Sequence, residues 1–488
     1  MAEITDFASI ILIVSAGFAL AVLSTKLTER VPVPAPALFL LGAAAVSEIW
    51  PGIYAAVSIR TVERIAVVAL IVILFNGGLE IGWGRFRASL APILSLGVLG
   101  TFATAGLVTL VARYGLGLDW VLAGIVGAAV APTDPAVMFS VLGRREIRGR
   151  SGTTLEGEAG VNDPAGIALM LGMIELATHA DASFWVVVRE FAVSMSIGVA
   201  LGLLGGFALI PVLRKIRLPS EGLYPVFALV LAGTLYAVTS VAQGSGFLAV
   251  FIAGLLLGDA RTPYKGEIER FSVALAGLAE LVVFVALGVT IKIGAFPGRV
   301  WLDGVVLALA LALLIRPLVV LLTLIRARMS SAERAFIAWS GLKGAVPILL
   351  AAFAVLGGVA DGTYVYGVVF VVVLVSVVGQ GTLVPLVART LAIPMRERNA
   401  LPWELSVRLG DEPPAAHEFE VHATSRAAGH AISELPLGQH AWVTLVVRDG
   451  TATRPGGSLE LKDGDRVLLL AEEGDIEPLT RLFTARTD

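Results

Sequence analysis

Runs of about twenty apolar residues recur along the first four-fifths of this chain, and no other feature constrains its fold as tightly. Backbone N–H and C=O groups find no water in hydrocarbon. A chain built this way therefore crosses a bilayer only as hydrogen-bonded helices or as a closed barrel, and runs of this length suit helices. Thirteen spans can be placed, centred from near Val14 to near Leu374. Charged residues make up 15% of the chain, well below the quarter or so typical of soluble domains. Cysteine is absent, which excludes disulfides, thiolate zinc sites and cysteine nucleophiles. Neither a P-loop nor a G-x-G-x-x-G turn after a soluble strand is present, so ATP drive and dinucleotide sensing are not expected. The N-terminus carries Glu3 and Asp6 and no basic segment, the pattern of a retained first span.

The basic residues set an expected orientation. Linkers after odd-numbered spans hold 20 Lys and Arg, from Lys26 to Arg398, and the opposite linkers hold 5. That asymmetry puts the N-terminus outside and the C-terminus in the cytoplasm. Arg189, Arg316 and Lys343 remain inside spans. Arg189 stands beside Glu190 and reads as a local pair. Arg316, before Pro317, reads as a snorkelling or backbone-bonding residue.

Two spans are interrupted. The fifth breaks at Pro132-Thr133-Asp134-Pro135 and the twelfth at Gly341-Leu342-Lys343-Gly344-Ala345-Val346-Pro347. Seven spans separate them, an odd offset, so they run in opposite directions. Paired broken helices of opposite direction predict an inverted-repeat transporter with its site where they cross. The expected fold is thus a polytopic α-helical membrane protein with two crossed discontinuous helices, carrying a small α+β cytoplasmic domain. The pattern points to transport and not to an enzyme.

Between the breaks, the sixth span carries Glu158 and Asn162-Asp163. A carboxylate at mid-membrane costs roughly 2.5–3.5 kcal/mol on insertion scales and persists mainly where it handles an ion or proton. Asp163 is the expected exchanged carboxylate. Desolvation favours the neutral form of a carboxyl, so a proton and a monovalent cation compete for its oxygens. One titrating charge against one cation predicts an electroneutral cycle, with Asn162 supplying a neutral side chain beside it. Thr133 can offer oxygen to the cation, which makes Asp163 and Thr133 the expected ligands of a transported K+ or Na+. Asp134 is expected to neutralise the dipole of the half-helix after it. Glu158 and Lys343 are expected to form a buried, structural bridge between the two broken regions. Glu280, midway along the tenth span, takes a supporting role.

Past Pro394 the character changes. Residues 1–392 read as the membrane domain and 393–415 as a polar, proline-containing linker. Residues 416–488 alternate as a soluble domain does, with turn signals at Asp449-Gly450 and Asp463-Gly464 and a closing helix. At about 70 residues it is small enough to need a partner copy.

In order along the chain, Pro132-Thr133-Asp134-Pro135, Glu158-Ala159-Gly160-Val161-Asn162-Asp163 and Gly341-Leu342-Lys343-Gly344-Ala345-Val346-Pro347 resemble the three central motifs of the cation:proton antiporter-1 family. That family includes the bacterial NhaP-type antiporters and the animal sodium/proton exchangers. Residues 416–487 resemble the TrkA-C domain, the C-terminal half of a potassium-conductance regulator. The combination is similar to the NhaP/CvrA branch and implies potassium/proton exchange, a homodimer and a bacterial inner-membrane location. Ala159 stands where the family has serine, and the lost hydroxyl favours a larger, less tightly held ion. Lys343 stands where the family has arginine, keeping the charge but losing the bidentate fork.

The expected activity is electroneutral cation/proton antiport, with K+ over Na+. Sodium/proton exchange is the nearest alternative. A gated cation channel would carry a repeated carbonyl-ring filter sequence, which is absent. A sensor that had lost transport would have no use for Asp163. No cofactor and no nucleic-acid partner are expected. A small-molecule or nucleotide ligand of the tail domain stays open.

Overall fold

The computed structural model describes residues 34–50, 57–142, 145–147, 149–179, 182–397, 415–437, 441–448, 451–471 and 476–483. It divides into two compact units, Met1–Arg398 and Asn399–Asp488. The first of the thirteen expected spans lies outside the described residues.

The other twelve fall in order on α1 (Ala35–Ile49), α2 (Ile59–Ala88), α3 (Leu90–Gly115), the pair α4 (Trp120–Val130) and α5 (Pro135–Leu142), then α6 (Arg150–Thr178), α7 (Phe184–Lys215) and α8 (Leu223–Val241). They continue through α9 (Gly246–Gly258), α10 (Lys265–Val289), α11 (Gly298–Thr323), the pair α12 (Ser331–Trp339) and α13 (Ala345–Leu356), and α14 (Gly362–Thr390). Eight of these segments are long and apolar enough to cross a bilayer by length and composition. α6 is as long as they are, but its carboxylates lower its hydropathy. A two-stranded ladder joins β1 (Arg145–Ile147) to β2 (Met395–Glu397).

Proline chemistry sets both breaks. Proline lacks an N–H, and its ring crowds the preceding turn of a helix. α4 therefore stops at Val130 and α5 restarts with Pro135 in its first position. Pro347 occupies the third position of α13, where the helix has no use for the missing N–H. The two breaks touch through the backbone, the Asp134 N–H donating to the Leu342 carbonyl at 2.8 Å.

α6 runs between them. A Cβ on Gly166 would overlap the ring of Pro132, so only glycine lets α6 approach the first break this closely. Three spans contain a π-helical stretch: Ser95–Gly100 in α3, Leu311–Ile315 in α11 and Val375–Gln380 in α14. Single π-turns within helices often accompany functional sites; the first packs on α6, the second on α3, and Ser376 of the third accepts from the Lys343 N–H in the second break.

The tail unit is a four-stranded antiparallel sheet in the order β3 (Ala415–Glu420), β6 (Arg466–Ala471), β4 (Trp442–Arg448), β5 (Thr451–Thr453), with α15 (Ile476–Phe483) closing the chain. Phe419, Val446, Val467, Leu469, Leu482 and Phe483 make its core. Gly464 has φ +82, which realises the expected Asp463-Gly464 turn, while Asp449-Gly450 lies outside the described residues. Asp465, 1% exposed, receives two bonds from Arg448 at 2.8 and 2.7 Å and a third from the Lys462 N–H. Burial alone would push this carboxyl up, but Arg448 and Lys462 outweigh it and hold it below the ordinary carboxylate range.

A depressed carboxyl stabilises the fold at neutral pH, and that contribution is lost as pH falls from about 3.9 through its folded value. Asp465→Asn should cost the tail about 1–3 kcal/mol at pH 7 and far less in strong acid. Hydrogen exchange on the tail strands of the full-length protein, at pH 7 and below 4, checks both halves of this expectation.

Candidate functional site

Pro135 and Asp134 determine which backbone groups are left unpaired at the first break. In an unbroken helix the N–H of residue 135 would bond the Ala131 carbonyl and that of residue 136 would bond the Pro132 carbonyl. Pro135 has no N–H to give, and the Ala136 N–H is taken by the Asp134 carboxylate at 2.9 Å. Two carbonyls therefore point into the protein interior with no helical donor. Lys343, 3% exposed, fills that vacancy, its Nζ donating to both the Ala131 and Pro132 carbonyls at 2.9 Å. Its own N–H donates to Ser376 Oγ at 2.9 Å, which fixes the second break to α14.

Asp134 serves both half-helices. Beside its bond from Ala136 it accepts from the Ala345 N–H at the start of α13, so one carboxylate caps two positive helix ends. A Cβ on Gly344 would land on this carboxylate, which is why the position carries no side chain.

Glu158 departs from the sequence expectation. It does not bridge to Lys343. The Arg316 guanidinium holds it in a two-pronged contact, Nη1 to Oε1 at 2.6 Å and Nη2 to Oε2 at 2.8 Å, with Glu158 1% and Arg316 4% exposed. Geometry explains the difference. Arginine presents a planar fork that matches a carboxylate, whereas lysine is a point charge and is drawn to the two stranded carbonyls. Arg316 had an available signal, a cation within an apolar run and therefore in need of a partner. Its partner lies 158 positions away, and no local spacing identifies it.

A chain of hydrogen bonds leads away from this pair. Thr133 Oγ1 donates to Glu158 Oε1 at 3.2 Å, and Asn162 Nδ2 donates to Thr133 Oγ1 at 2.7 Å. The side-chain oxygen of Asn162 and one oxygen of Asp163 are then left buried without a partner. Asp163 is 7% exposed, and its charged neighbours are Asp134, Lys343 and Glu158. Glu280, in α10, stands somewhat apart: it interacts with Asp134, and one of its oxygens is also buried and unpartnered. The structure thus brings Asp163, Asn162, Thr133, Asp134, Glu158 and Lys343 together at the crossing, adds Arg316, and sets Glu280 at its margin.

With Asp134, Glu158 and Asp163 ionised, their three carboxylates face the cations of Arg316 and Lys343, one negative charge in excess, and Glu280 adds a further carboxyl beside Asp134. On the Glu158 side the Nε of Arg316 is buried without an acceptor, and on the Asp163 side acceptors are spare. Such a site has room for added positive charge.

Residues 13–390 match the family model described as sodium/hydrogen exchanger, transmembrane. The chain belongs to the sodium/hydrogen exchanger family. Residues 416–484 match the TrkA-C domain. Over 476 residues the exchanger is 32% identical to the K(+)/H(+) antiporter NhaP2 of Shewanella sp. strain ANA-3, covering 96% of this chain and 82% of that one. Over 485 residues it is 32% identical to the K(+)/H(+) antiporter NhaP of Alkalimonas amylolytica, covering 97% and 83%. Among solved structures, the sodium proton antiporter MjNhaP1 of Methanocaldococcus jannaschii at pH 8 superposes with a TM-score of 0.67 at 23% identity, covering 79% of this chain and 99% of that one. The exchanger therefore shares that antiporter's fold.

The ion pair yields a double-mutant prediction. Glu158→Ala and Arg316→Ala should each cost roughly 3–5 kcal/mol by stranding a buried charge, and the double mutant should cost clearly less than their sum. Glu158→Ala combined with Lys343→Ala should couple much more weakly. Thermal melting of the five purified variants measures both couplings.

Proposed function

We propose that this exchanger carries one monovalent cation against one proton, potassium in preference to sodium, by alternately exposing Asp163 to the two sides of the membrane. The buried, unpartnered oxygen of Asp163 carries the reading. An orphan acceptor in hydrocarbon is costly, and a bound proton or a desolvated cation relieves that cost equally well. Because the site is one charge short of balance, either substrate neutralises it and the two exclude one another.

In this reading Asp163 and Thr133 ligate the transported ion, and the Asn162 oxygen is added to them. Asp134, Lys343, Arg316 and Glu158 hold the backbone ends and charges in place, and Glu280 supports the site from α10. Ala159 favours potassium, since serine would add a hydroxyl ligand that a smaller ion uses better. The similarity to antiporters named for potassium agrees with this choice. Residues 1–392 form the exchanging domain in a bacterial inner membrane, with the N-terminus outside. Residues 393–415 link it to a cytoplasmic, regulatory domain at 416–488, which pairs with a second copy in a homodimer and takes a small-molecule or nucleotide ligand.

Asp163→Asn should abolish cation-driven proton flux in proteoliposomes while the melting temperature stays close to that of the parent protein. Robust flux in that variant would sink the assignment. Exchange should also be insensitive to membrane potential. A net charge moved per cycle would couple at about 2.3 kcal/mol per 100 mV, so rates measured with the voltage clamped by valinomycin, using sodium or lithium as the driving ion, should coincide.

A further inference from the structure

The one described sheet in the membrane unit lies at a junction that the exchange chemistry does not use. β1 is preceded by α5, the second half of the first broken helix, and followed by α6, which carries Glu158 and Asp163. β2 follows α14, and the tail unit begins directly after it, at Asn399. The two strands pair antiparallel, with Arg145 opposite Glu397, Glu146 opposite Arg396, and Ile147 opposite Met395. The last of these pairs sets apolar against apolar, a combination that stabilises an antiparallel pair.

The ladder is seated on the transport core. Ile147 is buried in it, Met395 packs against it, and Ile393, just ahead of β2, is buried there as well. The first turn of α6 backs onto β1, since a Cβ on Gly152 would meet the Ile147 carbonyl at 2.9 Å. Displacing β1 therefore pushes on α6 near its start. A two-stranded ladder of this size is only marginally stable alone, so a modest pull changes its occupancy.

We propose that the β1–β2 pair is the tether through which the tail domain sets the rate of exchange. Tension or release in the chain beyond Arg398 reaches β2 first. The ladder hands it to the segment joining the two ion-site helices, and the Pro132–Pro135 break and α6 shift together. The inference rests on the exchange reading above and adds the route by which the tail acts on it.

The test compares potassium-driven proton flux against pH in proteoliposomes for four proteins. These are the full chain, the chain ended at Arg398, the full chain with Arg396→Pro, and the full chain with about six Gly and Ser residues inserted after Glu397. Proline removes a ladder donor, whereas the insertion keeps the ladder and slackens only the connection to the tail. Ending the chain at Arg398 should change the proton concentration at half-maximal rate by about five-fold or more, the low end of ordinary coupling between sites. The insertion and Arg396→Pro should each reproduce that change.

A second measurement reads the ladder directly. The chain has no cysteine, so Ile147→Cys with Met395→Cys gives a single disulfide on copper-phenanthroline oxidation, opposed strand residues lying within bridging range. The oxidised protein should keep the full-chain pH profile. The proposal is overturned if the cysteines fail to cross-link, if ending the chain at Arg398 leaves the profile unchanged, or if the slackened variant behaves as the full chain while the shortened one does not. Absence of cation-driven flux in all four proteins would overturn the exchange reading instead, and the cross-link would then decide whether the strand pair exists.

Discussion

Backbone polar groups stranded inside a membrane must find partners within the protein, and that requirement organises everything at the crossing. Pro135 strands the Ala131 carbonyl, Asp134 diverts the donor that would have served Pro132, and Lys343 closes both vacancies from the opposite break. Asp134 repays the second break by capping α13 as well as α5. The two discontinuities therefore satisfy each other, which neither does alone. Once Lys343 is committed to carbonyls it is not the partner of Glu158. Arg316 takes that role, and Asp163 is left with a buried oxygen that no donor reaches.

Much of this was legible in the sequence, for physical reasons that differ from element to element. Membrane helices announce themselves because burial in lipid demands long apolar runs, so the spans from Leu41 to Leu374 fall where hydropathy puts them. The breaks announce themselves because proline and glycine act locally. The cluster of Asp163, Asn162, Thr133 and Asp134 followed from the cost of polar groups in hydrocarbon. Partner choice was not legible. Glu158 had two buried cations to choose between, and only the shapes of a guanidinium and an ammonium, with the stranded carbonyls at 131 and 132, decide it. The double capping by Asp134 depends on a contact between segments some two hundred positions apart, and the β1–β2 ladder is too short to have a period. The π-helical turns leave no pattern in composition.

Charge balance ties the site to its substrates more tightly than any single ligand does. In the proposed exchange, the carboxylates of Asp134, Glu158 and Asp163 against Arg316 and Lys343 leave room for one positive charge, with Glu280 outside that count. In that reading, selection between ions comes from the oxygens around Asp163, with Ala159 contributing no hydroxyl. Selection between ion and proton comes from their concentrations. The charged framework sets stoichiometry, and the neutral neighbours set preference.

The mutual bonding of the two breaks has a mechanical consequence. A crossing held by a backbone hydrogen bond, two lysine bonds and a shared cap does not open by pulling its halves apart, since each severed bond would leave a polar group in hydrocarbon. In the exchange proposed above, the crossing then moves as one block when the ion changes sides. Such travel carries apolar surface up or down through the lipid, at a cost of fractions of a kcal/mol for each ångström of mismatch. The thickness and stiffness of the surrounding bilayer thereby enter the turnover rate of a site that no lipid touches.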